Sequence, residues 1–490
     1  MRQTYFSINL PRVFKIIGWL LMIEAAFMLV PVVTALMLHE PDWKEFLMSS
    51  ILTAVPGAAM SFGIRSRRND MGKREGFLLT ASVWIFFSLF GMLPFILGPH
   101  PFSVTDAFFE TMSAFTTTGV SIVTKADNCS ATLLLWRSLM QWIGGMGIIM
   151  FTLAVIPMLN YSGGMQMFNA EVTGITHDKI RPRISQTVRG LWLVYLSFTV
   201  ILLLLLWAGP MNFFESLCHA MSTISTGGFS THPDGIGAFN SLYVKIVIMV
   251  FMFLGGVNFT LLFHTVTSSP ANLWKNGVFR IYVWVIAGVY LFFALTILAQ
   301  GKYDGIGSVT VDPLFQIIST ITSTGYCISN FENWGAGVMV VIIVLMFTGA
   351  CAGSTSGGAK LDRVGCAFYN MVNEVRRSLR PNAIYVVRLN GKTVPEETLN
   401  KIFAFCSFFI TIALIGALIL TLEGLPLYDS LFASFSCMGN TGLGAGVTGA
   451  EGSYEVLGEV SKWALASIML IGRLEIFTVL VIFAPEFWRK

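Results

Sequence analysis

The stretch "TSTGYC" (322–327) decides how this chain folds, because it is not alone. "TTTGVS" (116–121), "STGGFS" (225–230) and "GNTGLG" (439–444) repeat its Thr-Gly pair between long apolar runs. Aligned on Gly119, Gly227, Gly325 and Gly442, the copies are spaced by 108, 98 and 117 residues. One Thr-Gly pair in apolar sequence is ordinary, since small residues let helices approach closely. Four in register indicate a repeated structural unit. Two columns extend the register. Nine residues before the Thr stand Phe109, Phe315 and Phe432, with Leu217 in the second copy. Twelve before it stand Asp106, Asp312 and Asp429, with Phe214 in the second copy and Glu215 beside it.

The surroundings set the solvent. Of 490 residues, 54% are hydrophobic and 12% charged, with a mean hydropathy of +0.71. That is too little charge to cover a soluble surface. Ten runs near the ~20 residues needed to cross a bilayer are expected as spans: 14–38, 46–64, 76–98, 134–159, 190–209, 243–265, 278–299, 336–359, 401–423 and 462–485. The first run is too long for the apolar region of a signal peptide. The seven cysteines and six histidines form no disulfide or metal-ligand spacing.

With the N-terminus in the cytoplasm, ten crossings leave 24 of the 31 Lys and Arg on the cytoplasmic side. Six remain outside and Arg473 lies within a span. This asymmetry is what the positive-inside rule demands, and it places both termini inside. "NAIYVVRLNGKTV" (382–394) reads as a cytoplasmic hairpin turning at Asn390-Gly391, a pair suited to positive φ.

Each repeat then reads as a span, a re-entrant stretch and a second span. The aspartate column suggests an N-capped short helix that enters from outside and ends at the Thr-Gly. Its negative dipole end favours a cation at mid-membrane. Bare backbone beyond it survives at that depth only along a protein-enclosed, wet path. Glycine reaches conformations that aim successive carbonyls at one axis. Four such segments make an oxygen ring able to replace the water shell of an alkali cation. The candidate ligands are the carbonyls of Thr117, Thr118, Ser225, Thr226, Ser323, Thr324, Asn440 and Thr441, beside Gly119, Gly227, Gly325 and Gly442.

The second spans align as well. "WIGGMG" (142–147), "FLGGVN" (253–258), "FTGACAGSTSGG" (347–358) and "LIGRLE" (470–475) share Gly144, Gly255, Gly349 and Gly472. The next column is Gly145, Gly256, Ala350 and then Arg473. A guanidinium near the membrane centre costs roughly 2.5–3.5 kcal/mol even on the lenient insertion scale, so it faces a wet cavity or a partner. Arg473 is read as an electrostatic barrier below the ring, with an ion pair to a neighbouring helix as the other reading. Glu475, two positions on, faces away from it within a helix.

On these motifs, and on "AEVTGITHDKIRPRI" (170–184), "YVVRLNGKTV" (385–394) and "IGRLEIFTVLV" (471–481), the chain resembles the Trk/Ktr/HKT superfamily of potassium transporters over nearly its whole length. Two extra N-terminal spans are similar to the Trk branch. The resemblance implies an all-α polytopic membrane protein with four span–pore-loop–span repeats in pseudo-fourfold arrangement around one pore. The expected division is two extra helices in 1–75, then repeats in 76–189, 190–275, 276–398 and 399–490. Gly119, where plant relatives selective for sodium carry Ser, implies potassium as the transported ion, with no other cofactor.

The resemblance further implies a homodimer in the lipid of a bacterial inner membrane. A cytoplasmic nucleotide-binding regulatory subunit of the TrkA type is the implied partner, and no nucleic acid is. "TGACAGSTSGGAK" (348–360) is too rich in glycine for a continuous helix. With the family it implies a broken helix hung below the filter as a gate, with Gly349, Gly353, Gly357 and Gly358 as hinge and body and Arg473 beside it.

Competing signals are weaker. "GAGVTG" (444–449) fits a dinucleotide fingerprint but no βαβ unit follows, and "GSTSGGAK" (353–360) lacks the Walker ending, so the chain shows no means of using ATP. His219 is read as a hydrogen-bonded packing residue, with a proton relay as the other reading. Glu24 in the first span is left between pairing with a neighbour and facing an interface. No acid–base pair in the spans suggests an enzyme. Alternating-access symport of potassium with sodium or protons is the second mechanism. It usually shows two inverted halves, against which four like-oriented loops argue.

Overall fold

The computed structural model describes residues 8–65, 71–123, 129–147, 184–301, 306–449 and 452–489. Its elements follow the alternation expected from hydropathy. Three long helices come first: α1 (Leu10–Leu38), α2 (Trp43–Ala58, continued by a π-turn to Gly63) and α3 (Lys73–Gly91). α1 and α2 cross where Gly18 and Gly57 meet; a Cβ on Gly18 would stand 2.6 Å from Gly57 O. Only glycine allows that approach without moving a backbone.

After α3 a short helix, α4 (Val104–Phe115), is followed by a turn and α5 (Ala131–Gly145). The scheme recurs as α6 (Ile184–Trp207), α7 (Phe213–Ile224), α8 (Leu242–Gly255) and α9 (Phe259–Thr267). It recurs again as α10 (Gly277–Gln300), α11 (Ile306–Ile321), α12 (Ala336–Thr348) and α13 (Leu361–Leu379). The last set is α14 (Glu396–Leu422), α15 (Leu427–Met438), α16 (Glu459–Arg473) and α17 (Phe477–Phe483). The short helices α4, α7, α11 and α15 lie inside. Each packs against the second helix of the preceding set: α5 on α7, α8 on α11, α12 on α15 and α16 on α4. The long helices carry their exposed apolar side chains outward, as Trp284, Leu291, Leu295 and Leu298 do on α10.

Six described helices are long and apolar enough to cross a membrane, and two bent pairs raise this to eight. The bent pairs correct the sequence reading. Runs 243–265 and 462–485, expected as unbroken spans, turn by 103° between α8 and α9 and by 114° between α16 and α17. Run 336–359 stops being helical at Thr348. All these breaks follow the aligned glycine column. There the second helix meets the carboxyl end of its own set's short helix: Gly144 abuts Phe115 O and Gly472 abuts Met438 O. Past this contact the chain turns away, and Asn258 re-caps α9 by accepting from Leu261 N at 3.0 Å. Of run 134–159, residues 148–159 lie outside the described residues, as does nearly all of the 170–184 motif.

The hairpin forms as expected. Arg388–Leu389 (β1) pairs antiparallel with Lys392–Thr393 (β2), and Asn390 and Gly391 take φ of 49° and 79°. Both positive values are what a two-residue turn with the native strand twist requires.

Candidate ion-conduction site

Each short inner helix ends in the same turn. The amides of Thr118, Gly227, Thr324 and Thr441 donate to the carbonyls of Ser113, Ser222, Ser319 and Ser436, each at 2.9 Å. The residue before each is left-handed: Thr117 (φ 53°), Thr226 (54°), Ser323 (52°) and Asn440 (50°). A left-handed non-glycine residue costs roughly 1–2 kcal/mol, so the same strain at four places marks a shared demand on the backbone. The residue after each is a glycine at φ of 79–85°: Gly119, Gly228, Gly325 and Gly442.

This corrects the register of the second copy by one residue. Its glycine is Gly228; Gly227 stands in the threonine column, and Ser225 falls back beside Thr116, Thr322 and Gly439. The shift also removes the anomaly in the acidic column, which becomes Asp106, Glu215, Asp312 and Asp429. These residues are not N-caps as expected. Ser103 caps α4 and Asn212 caps α7, accepting from the amides of Asp106 at 3.1 Å and Glu215 at 2.8 Å. Asp312 sits within α11. Asp429 instead accepts from Val447 N at 3.1 Å, bracing the outgoing strand.

The four turns meet in a closed order. A Cβ on Gly119 would collide with Gly227 O, one on Gly228 with Thr324 O, one on Gly325 with Thr441 O and one on Gly442 with Thr118 O. The four threonine-column carbonyls therefore each face a neighbour's glycine, and the helix ends bring their negative dipole ends toward the same place.

The stretch 348–360, expected to break its helix, does so after Thr348, and residues 349–360 lie against the helix-end side of these turns. Gly349, Gly353 and Gly358 have φ of 64°, 73° and 73°. Gly357 N donates to Ser323 Oγ, and a Cβ on Gly357 would strike Gly439 O. Thr355 Oγ1 donates to Ile224 O and Gly255 O at 3.2 Å. One side of the loop is tied to the α8–α9 elbow, by Asn258 Nδ2 to Ala352 O at 2.7 Å and Phe259 N to Gly353 O at 2.9 Å.

Arg473 ends α16 and reaches the same loop. Its Nη1 donates to Thr355 O at 2.9 Å, and its Nη2 to Gly144 O at 2.8 Å and Gly145 O at 3.2 Å. Those three bonds go to backbone carbonyls, on the loop and on α5. Glu475, in the elbow beyond, pairs with Arg363 at 2.6 Å at the base of the loop.

Three polar features escaped sequence reasoning. Arg137, counted among the outside charges, is buried and pairs with buried Glu110 at 2.8 Å. Glu110 also accepts from Ile122 N at 2.9 Å and Ser121 Oγ at 2.9 Å, so the pair fixes the strand leaving the first turn. A charge of each sign in neighbouring apolar runs was the available signal. Breaking a buried pair costs about 3–5 kcal/mol, so Glu110→Ala is expected to lower thermal stability sharply, read as loss of monodisperse protein on heating. Gln141, a lone amide in an apolar helix, reaches the second turn. Asn440 Nδ2 bonds Thr118 Oγ1 at 2.9 Å, joining the fourth turn to the first.

His219 is satisfied, with ring nitrogens 2.8 Å from Glu215 O and 3.1 Å from Ser230 Oγ. Glu24 is buried near Gly91 and Phe115 rather than at an interface, and its carboxylate oxygens have no hydrogen-bond partner among the described residues. No group of three metal-ligating side chains occurs among the described residues.

The sequence profile of the TrkH family, described as a cation transport protein, matches residues 43–490. The Trk system potassium uptake protein TrkH of Vibrio parahaemolyticus is 33% identical over 483 residues, covering 98% of this chain and 99% of the relative. The protein of that name from Escherichia coli K12 is 32% identical over 479 residues, covering 97% and 99%. The crystal structure of the potassium transporter TrkH from Vibrio parahaemolyticus superposes with a TM-score of 0.89 at 31% identity, covering 98% of this chain and all of that one. With its turns, elbows and broken helix in place, this chain belongs to the TrkH family of cation transport proteins.

Proposed function

We propose that the chain carries potassium into the cell through one pore, surrounded by four span–loop–span units within ten spans. The observation that carries this reading is the closed order of contacts among Gly119, Gly228, Gly325 and Gly442 and their neighbours' carbonyls. A ring of carbonyl oxygens can replace the water around a dehydrated potassium ion. Its ligands are the carbonyls of Thr117, Thr118, Thr226, Gly227, Ser323, Thr324, Asn440 and Thr441. The loop with Gly349, Gly353, Gly357 and Gly358, together with Arg473, closes the path below it. The names of the relatives as potassium uptake proteins support the choice of ion.

The charge asymmetry supports cytoplasmic termini in a bacterial inner membrane. Homodimerisation and control by a TrkA-type nucleotide-binding subunit complete the proposal, on family grounds. Proteoliposomes holding the full chain test it by rubidium uptake down a potassium gradient. Uptake suppressed by external potassium and spared by equal sodium is expected. Equal suppression by both ions would remove the filter reading, and rubidium accumulation against its gradient without membrane potential would favour symport.

A further inference from the structure

The second turn is built differently from the other three. The threonine column reads Thr118, Gly227, Thr324 and Thr441, so one turn lacks a side chain there. The column three residues before the shared glycine of the second helices reads Gln141, Met252, Met346 and Met469, all fully buried. The polar exception and the missing threonine belong to one junction, because α5 packs on α7. A Cβ on Gly227 would stand 2.6 Å from Gln141 Oε1 and 2.7 Å from its Nε2. The Gln141 amide thus occupies the space a threonine side chain would need.

It also takes over bonds made directly elsewhere. In the first and third turns the serine column holds the outgoing strand: Ser113 Oγ donates to Val120 O at 2.6 Å, and Ser319 Oγ to Tyr326 O at 2.7 Å. Ser222 instead donates to Gln141 Oε1 at 2.6 Å, which also accepts from Phe229 N at 3.3 Å. Gln141 Nε2 then donates to Gly227 O at 2.7 Å. Among the described residues, no side chain donates to Thr118 O, Thr324 O or Thr441 O; Gly227 O alone of the four carries such a donor.

We propose that Gln141 is a positioning residue, which replaces the absent threonine of the second turn and sets how the pore discriminates potassium from smaller alkali cations. This rests on the filter reading above. A carbonyl on a glycine–glycine hinge would otherwise swing toward a smaller ion. An N–H bonded to it fixes its direction and reduces its pull, and discrimination by carbonyl dipoles depends on both.

The test exchanges the two columns. Gln141→Met brings in the residue of the other three sets, Gly227→Thr the residue of the other three turns, and the double variant makes all four alike. Rubidium uptake by proteoliposomes of the full chain, with sodium as competitor, reads the discrimination ratio rather than total flux. Gln141→Met is expected to lower that ratio about tenfold, equivalent to one buried hydrogen bond. Gly227→Thr alone should lose transport through collision with the amide, and the double variant should recover both transport and discrimination.

A wild-type ratio in Gln141→Met, or a double variant no better than the worse single one, overturns the proposal. Gln141→Glu gives a second reading if Gln141→Met does not fold. Its carboxyl donates only when protonated, so the ratio should rise on acidification, and a pH-independent wild-type ratio counts against the role. Gly325→Ala separates the layers: if it alters discrimination while Gln141→Met does not, the filter stands and only the role of Gln141 falls.

Discussion

Gly325→Ala is expected to reduce rubidium uptake by at least about a hundredfold while the protein still inserts and purifies. The residue sits at φ 82°, where an L side chain is strained by roughly 1–2 kcal/mol. The larger effect is steric. The added methyl would collide with Thr441 O, and Gly442 Cα would lie 3.3 Å away. Neither is a flexible side-chain tip; both are backbone of the next turn, so relief requires displacing a neighbouring ligand. Because the four contacts close on themselves, that displacement passes to Gly442 and on to Thr118 O. Gly391→Ala is the control: it also sits at positive φ, but nothing lies within 4 Å of its added Cβ. Strain alone would make the two variants alike. Uptake by Gly325→Ala close to wild type would mean that the turns do not form the path.

Arg473→Ala is expected to raise uptake by about thirtyfold to a thousandfold. A unit positive charge within about 4–8 Å of a passing cation opposes it by up to roughly 2–4 kcal/mol at an effective dielectric constant of 20. The guanidinium also has a mechanical role, since it ties Thr355 O on the loop to Gly144 O and Gly145 O on the opposite helix. Arg473→Lys separates the two. It keeps the charge but has no planar fork to hold carbonyls on two sides at once. Low uptake in Arg473→Lys with high uptake in Arg473→Ala assigns the barrier to charge; high uptake in both assigns it to the tether. Unchanged uptake in Arg473→Ala removes the residue from the gate.

Much of this is legible in the sequence. The apolar runs and the four Thr-Gly pairs located the inner helices and their turns to within a residue. The glycine run at 348–360 announced a broken helix, and Asn390-Gly391 announced its hairpin. Each signal is local: hydropathy, propensity and turn chemistry act over a few neighbours. The Thr-Gly pattern aligns the second copy on Gly227, although the glycine that needs positive φ is the next one, Gly228. Two adjacent glycines made both registers equally good as text. Asp is a good cap and reads as one, but Ser103 and Asn212 hold that position, and the acid follows three residues on.

The amino-acid sequence by itself determined that the chain is a membrane protein, that its Thr-Gly motif recurs four times, and that glycine turns interrupt its apolar segments. Tertiary structure alone decided which glycine of the second pair faces its neighbour, where α8 and α16 bend, and which carbonyls Arg473 and Gln141 hold. The reason is one of distance. Collisions such as that between a Gly325 Cβ and Thr441 O join residues more than a hundred positions apart. No propensity acting along the chain reaches that far, so those choices are made only when four separate turns arrive at the same place.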